Sequence, residues 1–178
     1  MDYLKNLQLF PTLLPTTANI FHGPANTSQA FVANQEWYES IDILTNVTVD
    51  AIEWTNGTVV SGNIKYGIYR ANAVSVNGQT NVLLNSTLIS SGSIAQGTAS
   101  SAQIGSLTAL ALTPGKYFLS IMADNATATY MRHGNLNYHN NLAYTTNEGS
   151  FNLAATAVAG TPASNNIPGL RLRTITNF

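Results

Sequence analysis

The sequence predicts an all-β protein, namely an antiparallel two-sheet β-sandwich (jelly-roll-like) with an extended N-terminal arm. Three observations predict this class. Apolar and polar residues alternate with a period of two from Phe31 onward, as they do in half-buried strands. Thr, Asn, Ser and Gly supply most of the polar residues and suit strands and turns, whereas the helix formers Glu, Lys and Arg are scarce. Turn clusters recur at about 8–15 residues, a spacing that favours a sandwich.

The first element is an arm over residues 1–34, and the sandwich domain covers 35–178. Pro11, Pro15 and Pro24 interrupt the short apolar clusters of the arm, which indicates an extended segment, with a short helix over Tyr3–Leu9 as an alternative. The arm is too apolar for a free tail, so we expect it to pack on its own domain or to insert into a neighbour. The residues expected to anchor it are Leu9, Phe10, Leu13 and Leu14.

The strands of the sandwich follow in order along the chain. The candidates are EWYESIDIL, NVTVDAIEW, GNIKYGIYR, NVLLNSTLIS, AQIGSLTALAL, GKYFLSIMAD, ATATYMR, GSFNLAAT and LRLRTITNF. Clusters of Gly, Asn, Ser or Pro separate them. The polar window 90–103 lies between strand patterns, so we interpret it as a hairpin loop with one weak strand.

The segment LTPGKYFLSIMADN contains the most apolar of these strands. One face carries Tyr117, Leu119, Ile121 and Ala123. The opposite face carries Phe118 and Met122, and on a single solvated sandwich these side chains would be exposed. We therefore expect the arm, the loop 132–149 or a neighbouring subunit to cover that face, and Asp124-Asn125 to form a turn.

The low charge of the chain limits its partners. Asp, Glu, Lys and Arg make up 8% of the residues and the net charge is −1, whereas charged residues are about 25% of an average soluble domain. The seven basic residues are scattered, so we expect no nucleic-acid partner. No apolar run approaches the roughly 20 residues that span a bilayer, so we expect no membrane partner. A nearly neutral surface lacks self-repulsion, which predicts a homo-oligomer.

The sequence predicts neither catalysis nor a cofactor. There is no cysteine, which excludes disulfides and thiolate chemistry. Nucleophile and phosphate-loop motifs are absent. Asp50 and Glu53 lie on opposite faces of one strand, so they do not form an opposed carboxylate pair. We interpret Glu36, Glu39 and Asp42 as single surface acids.

The chain also offers no convincing metal site. His22, His133 and His139 do not follow a recognised ligand spacing. Asp124 and Asn125, with Thr127, offer oxygen donors for calcium, but an Asx-turn at a strand end is the favoured interpretation. We therefore expect no metal and a protein that is not an enzyme.

A loose window over 132–149 is the candidate binding surface, because sandwiches often place binding functions on long loops. It combines Tyr with Asn, a composition found both in sugar-binding surfaces and in wet protein interfaces. The low charge favours the interface. The residues predicted to contact a glycan or a protein partner are Tyr130, Tyr138, Tyr144, Asn137 and Asn140.

Two segments resemble a known family. VDAIEWTNGTVVSGNIKYGIYRAN and TLISSGSIAQGTASSAQIGSLTALALTPGKYFLSIMADN are similar to the β-sandwich module of tailed-bacteriophage virion structural proteins, which include tail-fibre and particle-surface proteins. The resemblance covers roughly residues 50–125 and is carried by short patterns. The matching positions are Gly67, Ile68 and Tyr69, then Gly92 and Ile94, then Leu112, Pro114, Gly115, Tyr117 and Leu119.

The resemblance implies structural roles for these positions and a virion location for the protein. The expected function is that of a non-enzymatic structural protein, an oligomeric sandwich that is expected to be a trimer. The arm would attach it to the capsid or tail of the particle. Head decoration or cement is preferred over a fibre, because the chain is short and has no heptad or shaft repeat. The alternative function is a module that binds a host-surface glycan or receptor.

Overall fold

The computed structural model describes residues 17–18, 27–72, 75–76, 79–80, 85–133, 143–157, 161–163 and 166–175. Strands make up 65% of the structure, and no helix occurs in the described part. The sheets are antiparallel and the arrangement is that of a β-sandwich, with one sheet strongly curled. The predicted fold class is therefore confirmed.

The longest described strands lie between residues 35 and 123. They are β1 (Thr17–Ala18), β2 (Thr27–Ala30), β3 (Gln35–Ile43), β4 (Val47–Thr55), β5 (Asn63–Arg70), β6 (Ser75–Val76), β7 (Gln79–Thr80), β8 (Ser86–Ala95), β9 (Ala102–Leu112), β10 (Gly115–Ala123), β11 (Thr129–His133), β12 (Ala143–Asn147), β13 (Thr156–Ala157), β14 (Thr161–Ala163), β15 (Ile167–Pro168) and β16 (Arg171–Thr174).

The described strands form two main sheets and two small ones. The seven-stranded sheet has the order β13-β8-β5-β10-β3-β12-β14, and the four-stranded sheet has the order β1-β16-β4-β9. A three-stranded sheet, β15-β11-β2, and the pair β6-β7 complete the set. Because β8 and β9 belong to different sheets, the loop between them crosses the sandwich and does not close a β-hairpin, which corrects the prediction for the window 90–103.

The main core lies between the two larger sheets. Strand β10 contributes one whole face to it, and the members of that face are Tyr117, Leu119, Ile121 and Ala123. Trp54 and Leu172 enter the same core from the four-stranded sheet. The Trp54 ring packs on Tyr66 of β5 with 5.5 Å between ring centroids. The face of β10 that was predicted from its period of two is therefore confirmed as a core face.

The described residues before residue 35, namely 17–18 and 27–34, take part in the folded domain. Strand β2 pairs with β11, and β1 pairs with β16. Phe31 is 2% exposed and its ring lies 4.6 Å from that of Tyr130. The boundary predicted at residue 34 therefore falls inside the packed structure. Leu9, Phe10, Leu13 and Leu14 lie outside the described residues.

The second face of β10 is covered by residues 148–157, which we call the strap. Phe118 and Met122 are fully buried, and Phe118 packs with Ala157 in a small second core. Gly67 leaves the room that this requires, because a Cβ there would lie 2.9 Å from Leu153 Cδ1. The segment that covers this face therefore begins at the end of the predicted loop 132–149 and continues beyond it.

Most of the strap is irregular, although its sequence was predicted as a strand. Strand pairing is confined to Thr156 and Ala157, which pair with β8, and two further backbone bonds join Ala155 to Leu88 and Glu148 to Asn34. Side chains of the sheet instead bond the strap backbone: Lys65 Nζ donates to the Phe151 carbonyl at 2.6 Å, and Tyr69 Oη to the Ala154 carbonyl at 2.7 Å. The alternating pattern of GSFNLAAT therefore predicts a strand wrongly, since side-chain donors satisfy its backbone.

Candidate functional site

Tyr130 lies in the core. Its side chain is 0% exposed, and its ring packs against Phe31 and Trp37, the latter at 6.1 Å between centroids. Its hydroxyl donates to the Asn166 carbonyl. Burial raises the pKa of this phenol. The expectation that Tyr130 contacts a glycan is thus corrected, because β11 lies within a sheet and turns this ring inward.

The other predicted contact residues are only partly within the described structure. Tyr144 lies on β12, where its backbone is paired with Tyr38 on one side and with Pro162 on the other. Tyr138, Asn137 and Asn140 lie outside the described residues. The predicted binding surface therefore stays a prediction for those three positions.

Asp124 and Asn125 form the predicted turn. Asn125 Oδ1 accepts from the backbone N–H groups of Thr127 and Ala128 at 2.9 and 2.8 Å. Asp124 Oδ2 accepts from the backbone N–H and the side-chain amide of Asn63 at 3.0 and 2.8 Å. Burial alone would raise the pKa of Asp124, but the hydrogen bonds from Asn63 and Asn125 outweigh it and the pKa is lowered. The Asx-turn interpretation is confirmed.

The described residues contain no group of three or more His, Asp or Glu that could hold a metal ion. The calcium alternative would have to use the turn oxygens just described, and these already accept hydrogen bonds from Asn63, Thr127 and Ala128. Within the same part of the chain no helix is long and apolar enough to cross a bilayer.

Two of the three acids on β3 are buried, so the interpretation of them as surface acids was wrong. Glu36 is 0% and Glu39 1% exposed, and Glu39 Oε2 accepts from the Leu170 N–H at 3.1 Å. The reason is the position of β3 between β10 and β12, with the main core on one face and the strap on the other. Adjacent aromatic residues on opposite faces, Trp37 and Tyr38, were the available signal that both faces are covered. Asp42 is exposed and pairs with Lys116 at 3.0 Å.

Glu36 is the most unusual ionisable group in the described structure. Its Oε1 lies 2.9 Å from Tyr69 Oη, and its Oε2 accepts from the Ala154 N–H of the strap at 3.4 Å. Burial raises the pKa of Glu36 to about 7, although hydrogen bonding from Ser120, Tyr38 and Tyr69 opposes the change. Ser120 Oγ and Tyr38 Oη make no hydrogen bond of ordinary geometry with any described atom, and both hydroxyls can turn toward the Glu36 carboxyl group.

The contacts of Tyr69 indicate which form of Glu36 is present. A phenol has one proton, and Tyr69 Oη contacts both the Ala154 carbonyl and Glu36 Oε1. A carbonyl oxygen only accepts, so the phenol proton lies in the bond to the Ala154 carbonyl, which at 2.7 Å is shorter than the 2.9 Å contact with Glu36. The contact with Glu36 is then a hydrogen bond only if Glu36 carries a proton and donates it to Tyr69 Oη. The geometry therefore fits a neutral carboxylic acid in a chain that runs from Glu36 through Tyr69 to Ala154.

A second buried polar group lies at the end of the sandwich where β4 ends and β9 begins. Asn56 Oδ1 accepts from Trp54 Nε1 at 3.0 Å and from Gln96 Nε2 at 3.2 Å. Asn56 Nδ2 donates to Gln103 Oε1 at 2.7 Å and to the Thr98 carbonyl at 3.2 Å. Both polar atoms of Asn56 are thus fully bonded. No local sequence pattern marks this amide network, because Asn56 bonds Gln96, Thr98 and Gln103 across 40 or more residues.

The third feature is an uncharged edge. No charged residue occurs between Arg70 and Lys116, the part of the chain that forms β8 and β9. Strand β9 is the edge strand of the four-stranded sheet as described, and Ile104 on it is 39% exposed. Its continuous pairing with β4 covers residues 102–106, after which the register shifts.

The two sheets approach each other behind this edge. A Cβ added at Gly92 of β8 would lie 2.4 Å from Tyr66 Oη, and one at Gly105 of β9 would lie 2.5 Å from the same ring. Tyr66 also donates to the Ser106 carbonyl at 2.9 Å. The missing side chains of Gly92 and Gly105 therefore make room for the Tyr66 ring and set the spacing of the edge.

Comparisons with protein-family models, with curated proteins and with solved structures find no significant match to this chain.

Proposed function

We propose that this chain is a non-enzymatic structural protein of a tailed-phage particle, which associates with copies of itself and attaches to the head or tail. The observation that carries the proposal is the uncharged edge at β9. Natural sheets usually protect an exposed edge strand with charges, with Pro or with a covering segment, because its free N–H and C=O groups can pair with another chain. Residues 102–106 of β9 contain no charge and no Pro.

A second copy of the same chain is the partner that this edge fits best. An uncharged strand can pair with an identical strand without placing like charges opposite each other. The low total charge adds little repulsion between copies. Ile104 lies in the middle of the continuous stretch, where its exposed side chain would gain a cross-strand neighbour.

The resemblance supports the particle location. Its positions have structural roles in the fold: Gly67 admits the strap, Gly92 admits the Tyr66 ring, and Tyr117 and Leu119 lie in the main core. These are packing roles. The trimer is the oligomer that the resemblance leads us to expect.

The first experiment measures the number of copies in solution. Light scattering after size-exclusion chromatography should show an oligomer for the unaltered protein and a monomer for Ile104→Lys, which places charges at the edge. Val59→Lys is the matched control, since Val59 is an apolar residue that is 46% exposed and whose backbone bonds the Thr129 hydroxyl of β11. An unaltered protein that stays monomeric at high concentration, or an Ile104→Lys protein that keeps its oligomer, would contradict the proposal.

The second experiment tests the particle. The purified chain should sediment with particles of the phage whose genome encodes it. Removing residues 1–16, which include Leu9 and Phe10, leaves every described strand in place and should abolish this cosedimentation if the arm is the anchor. Glycan-array binding that is lost on Tyr138→Ala, without cosedimentation, would instead indicate the host-binding alternative.

A further inference from the structure

We propose that Glu36 is a proton-dependent latch for the strap: the protonated acid holds the strap on the sheet at Ala154, and ionisation releases it there. This inference does not depend on the particle location or on the β9 edge. It rests on the contacts of one buried carboxyl group with one tyrosine and with the backbone of one strap residue.

The protonated form satisfies every group in the chain of hydrogen bonds. Glu36 donates to Tyr69 Oη, Tyr69 donates to the Ala154 carbonyl at 2.7 Å, and the Ala154 N–H returns to Glu36 Oε2 at 3.4 Å. Both backbone groups of Ala154 are thus bonded through the same carboxyl group. The strap is therefore tied to the sheet where its own backbone makes no strand pairing.

The ionised form cannot satisfy the same groups. If Tyr69 turns its proton toward the carboxylate, the Ala154 carbonyl loses its donor. If the Tyr69 proton stays in the bond to the Ala154 carbonyl, Tyr69 Oη and Glu36 Oε1 face each other at 2.9 Å with no proton between them. Either choice leaves a charge or a polar group unpaired in a buried place, which is costly. Lifting the strap admits water and removes that cost.

The neighbouring polar groups set how strongly the latch responds. Tyr38 on β3 and Ser120 on β10 lie near Glu36 and can turn hydroxyl protons toward a carboxylate, which moderates the cost. Thr146 of β12 is paired with Glu36 across the strands, and its hydroxyl donates to Glu148 at the start of the strap. On β5, Lys65 pairs with Met122 of β10, which pairs with Glu36 on its other side.

Lys65 and Lys116 are positive charges on this face; Lys116 pairs with Asp42, and Lys65 is engaged by the strap. Lys65 Nζ donates to the Phe151 carbonyl and to Asn152 Oδ1 at 2.7 Å, and it lies 4.9 Å from the centre of the Phe151 ring. These contacts hold the part of the strap before Ala154 at any pH at which the lysine is charged. Release should therefore begin around Ala154 and expose the buried rings of Tyr38 and Tyr69.

The test is amide hydrogen exchange of peptides within 148–157, measured by mass spectrometry from pH 5 to pH 8.5 and corrected for the intrinsic pH dependence of exchange. With a pKa of 4.5 in the open strap and about 7 in the closed one, the opening constant should rise about 70-fold over this range. Glu36→Gln keeps a neutral group of the same shape and should make the profile flat. Tyr69→Phe removes the relay and should raise exchange at pH 5.

Asp42→Asn is the matched control, because Asp42 is an exposed acid on the same strand and the same face. It should leave the profile of the strap unchanged. A profile that Glu36→Gln does not flatten, or a Tyr69→Phe protein with unchanged exchange at pH 5, overturns the latch. If Glu36→Gln does not fold, ¹³C NMR titration of the unaltered protein decides: a Glu36 midpoint near 4.5 contradicts the proposal, and one near 7 supports it.

Discussion

The amide network around Asn56 and the carboxyl cluster around Glu36 solve the same problem in different ways. Each buries a polar side chain completely. Asn56 has two donors and an acceptor oxygen that are bonded at every pH, whereas Glu36 is fully bonded only while it carries a proton. The hydrogen bonds of a buried amide therefore hold at every pH, whereas those of a buried acid depend on pH.

The largest effect is expected from Asn56→Ala. The substitution removes four hydrogen bonds and leaves Trp54 Nε1 and the Thr98 carbonyl without the partner that Asn56 provides. Gln103 Oε1 keeps the Gly97 N–H, and Gln96 Nε2 keeps the Thr129 carbonyl. A buried polar group left unpaired costs about 1–3 kcal/mol, so the free energy of unfolding should fall by about 3–5 kcal/mol. Urea denaturation at pH 6 and pH 8 measures it.

The size of this loss should be the same at both pH values, because no member of the amide network titrates in that range. A loss below about 1 kcal/mol would show that water replaces the amide, and the contrast with Glu36 would fail.

The second effect is the pH dependence of stability contributed by Glu36. The folded form binds the proton more tightly than the unfolded chain, so stability is fully present below about pH 4.5 and is lost as the pH rises through about 7. The expected loss is about 3 kcal/mol across that window. Urea denaturation of the unaltered protein and of Glu36→Gln at each pH should show the difference growing with pH. If the free energy of unfolding changes equally with pH in the two proteins, the titrating group is not Glu36.

The sequence predicted the strands better than it predicted these two polar centres. The pattern AQIGSLTALAL, taken as a strand, has the same bounds as β9, and the core face of β10 was assigned correctly. Those features follow from local alternation. The burial of Glu36 follows from the strap, which is far away in the chain and has a strand-like sequence but pairs mainly with side chains. The Asn56 network joins residues from three separate loops and strands, so no local pattern marks it.

A third and smaller effect tests how closely the strap fits the sheet. A Cβ at Gly67 would meet Leu153 Cδ1 and Leu88 Cδ1 at 2.9 Å, and these are flexible side-chain ends that can shift. Gly67→Ala should therefore lower the free energy of unfolding by about 1–3 kcal/mol and increase hydrogen exchange in the strap. The control is Gly97→Ala, where the nearest atom is 3.6 Å away and little change is expected. Equal effects of the two variants would mean that the strap does not rest on Gly67.

The smallest effect on the free energy of unfolding is expected at Asp42, an exposed acid on the same strand as the buried Glu36. Asp42 and Glu36 are acids on the same face of β3, but the Asp42 side chain is 58% exposed and pairs with Lys116 at 3.0 Å. Exposed ion pairs contribute about 0–1 kcal/mol, because water already solvates both charges. Asp42→Asn should therefore change the free energy of unfolding by about 0.5 kcal/mol or less at pH 7, and added salt should reduce even that. Thermal or urea denaturation at low and high salt measures it. A loss as large as that expected for Glu36 would mean that charge itself, and not burial, sets the pH response of this strand.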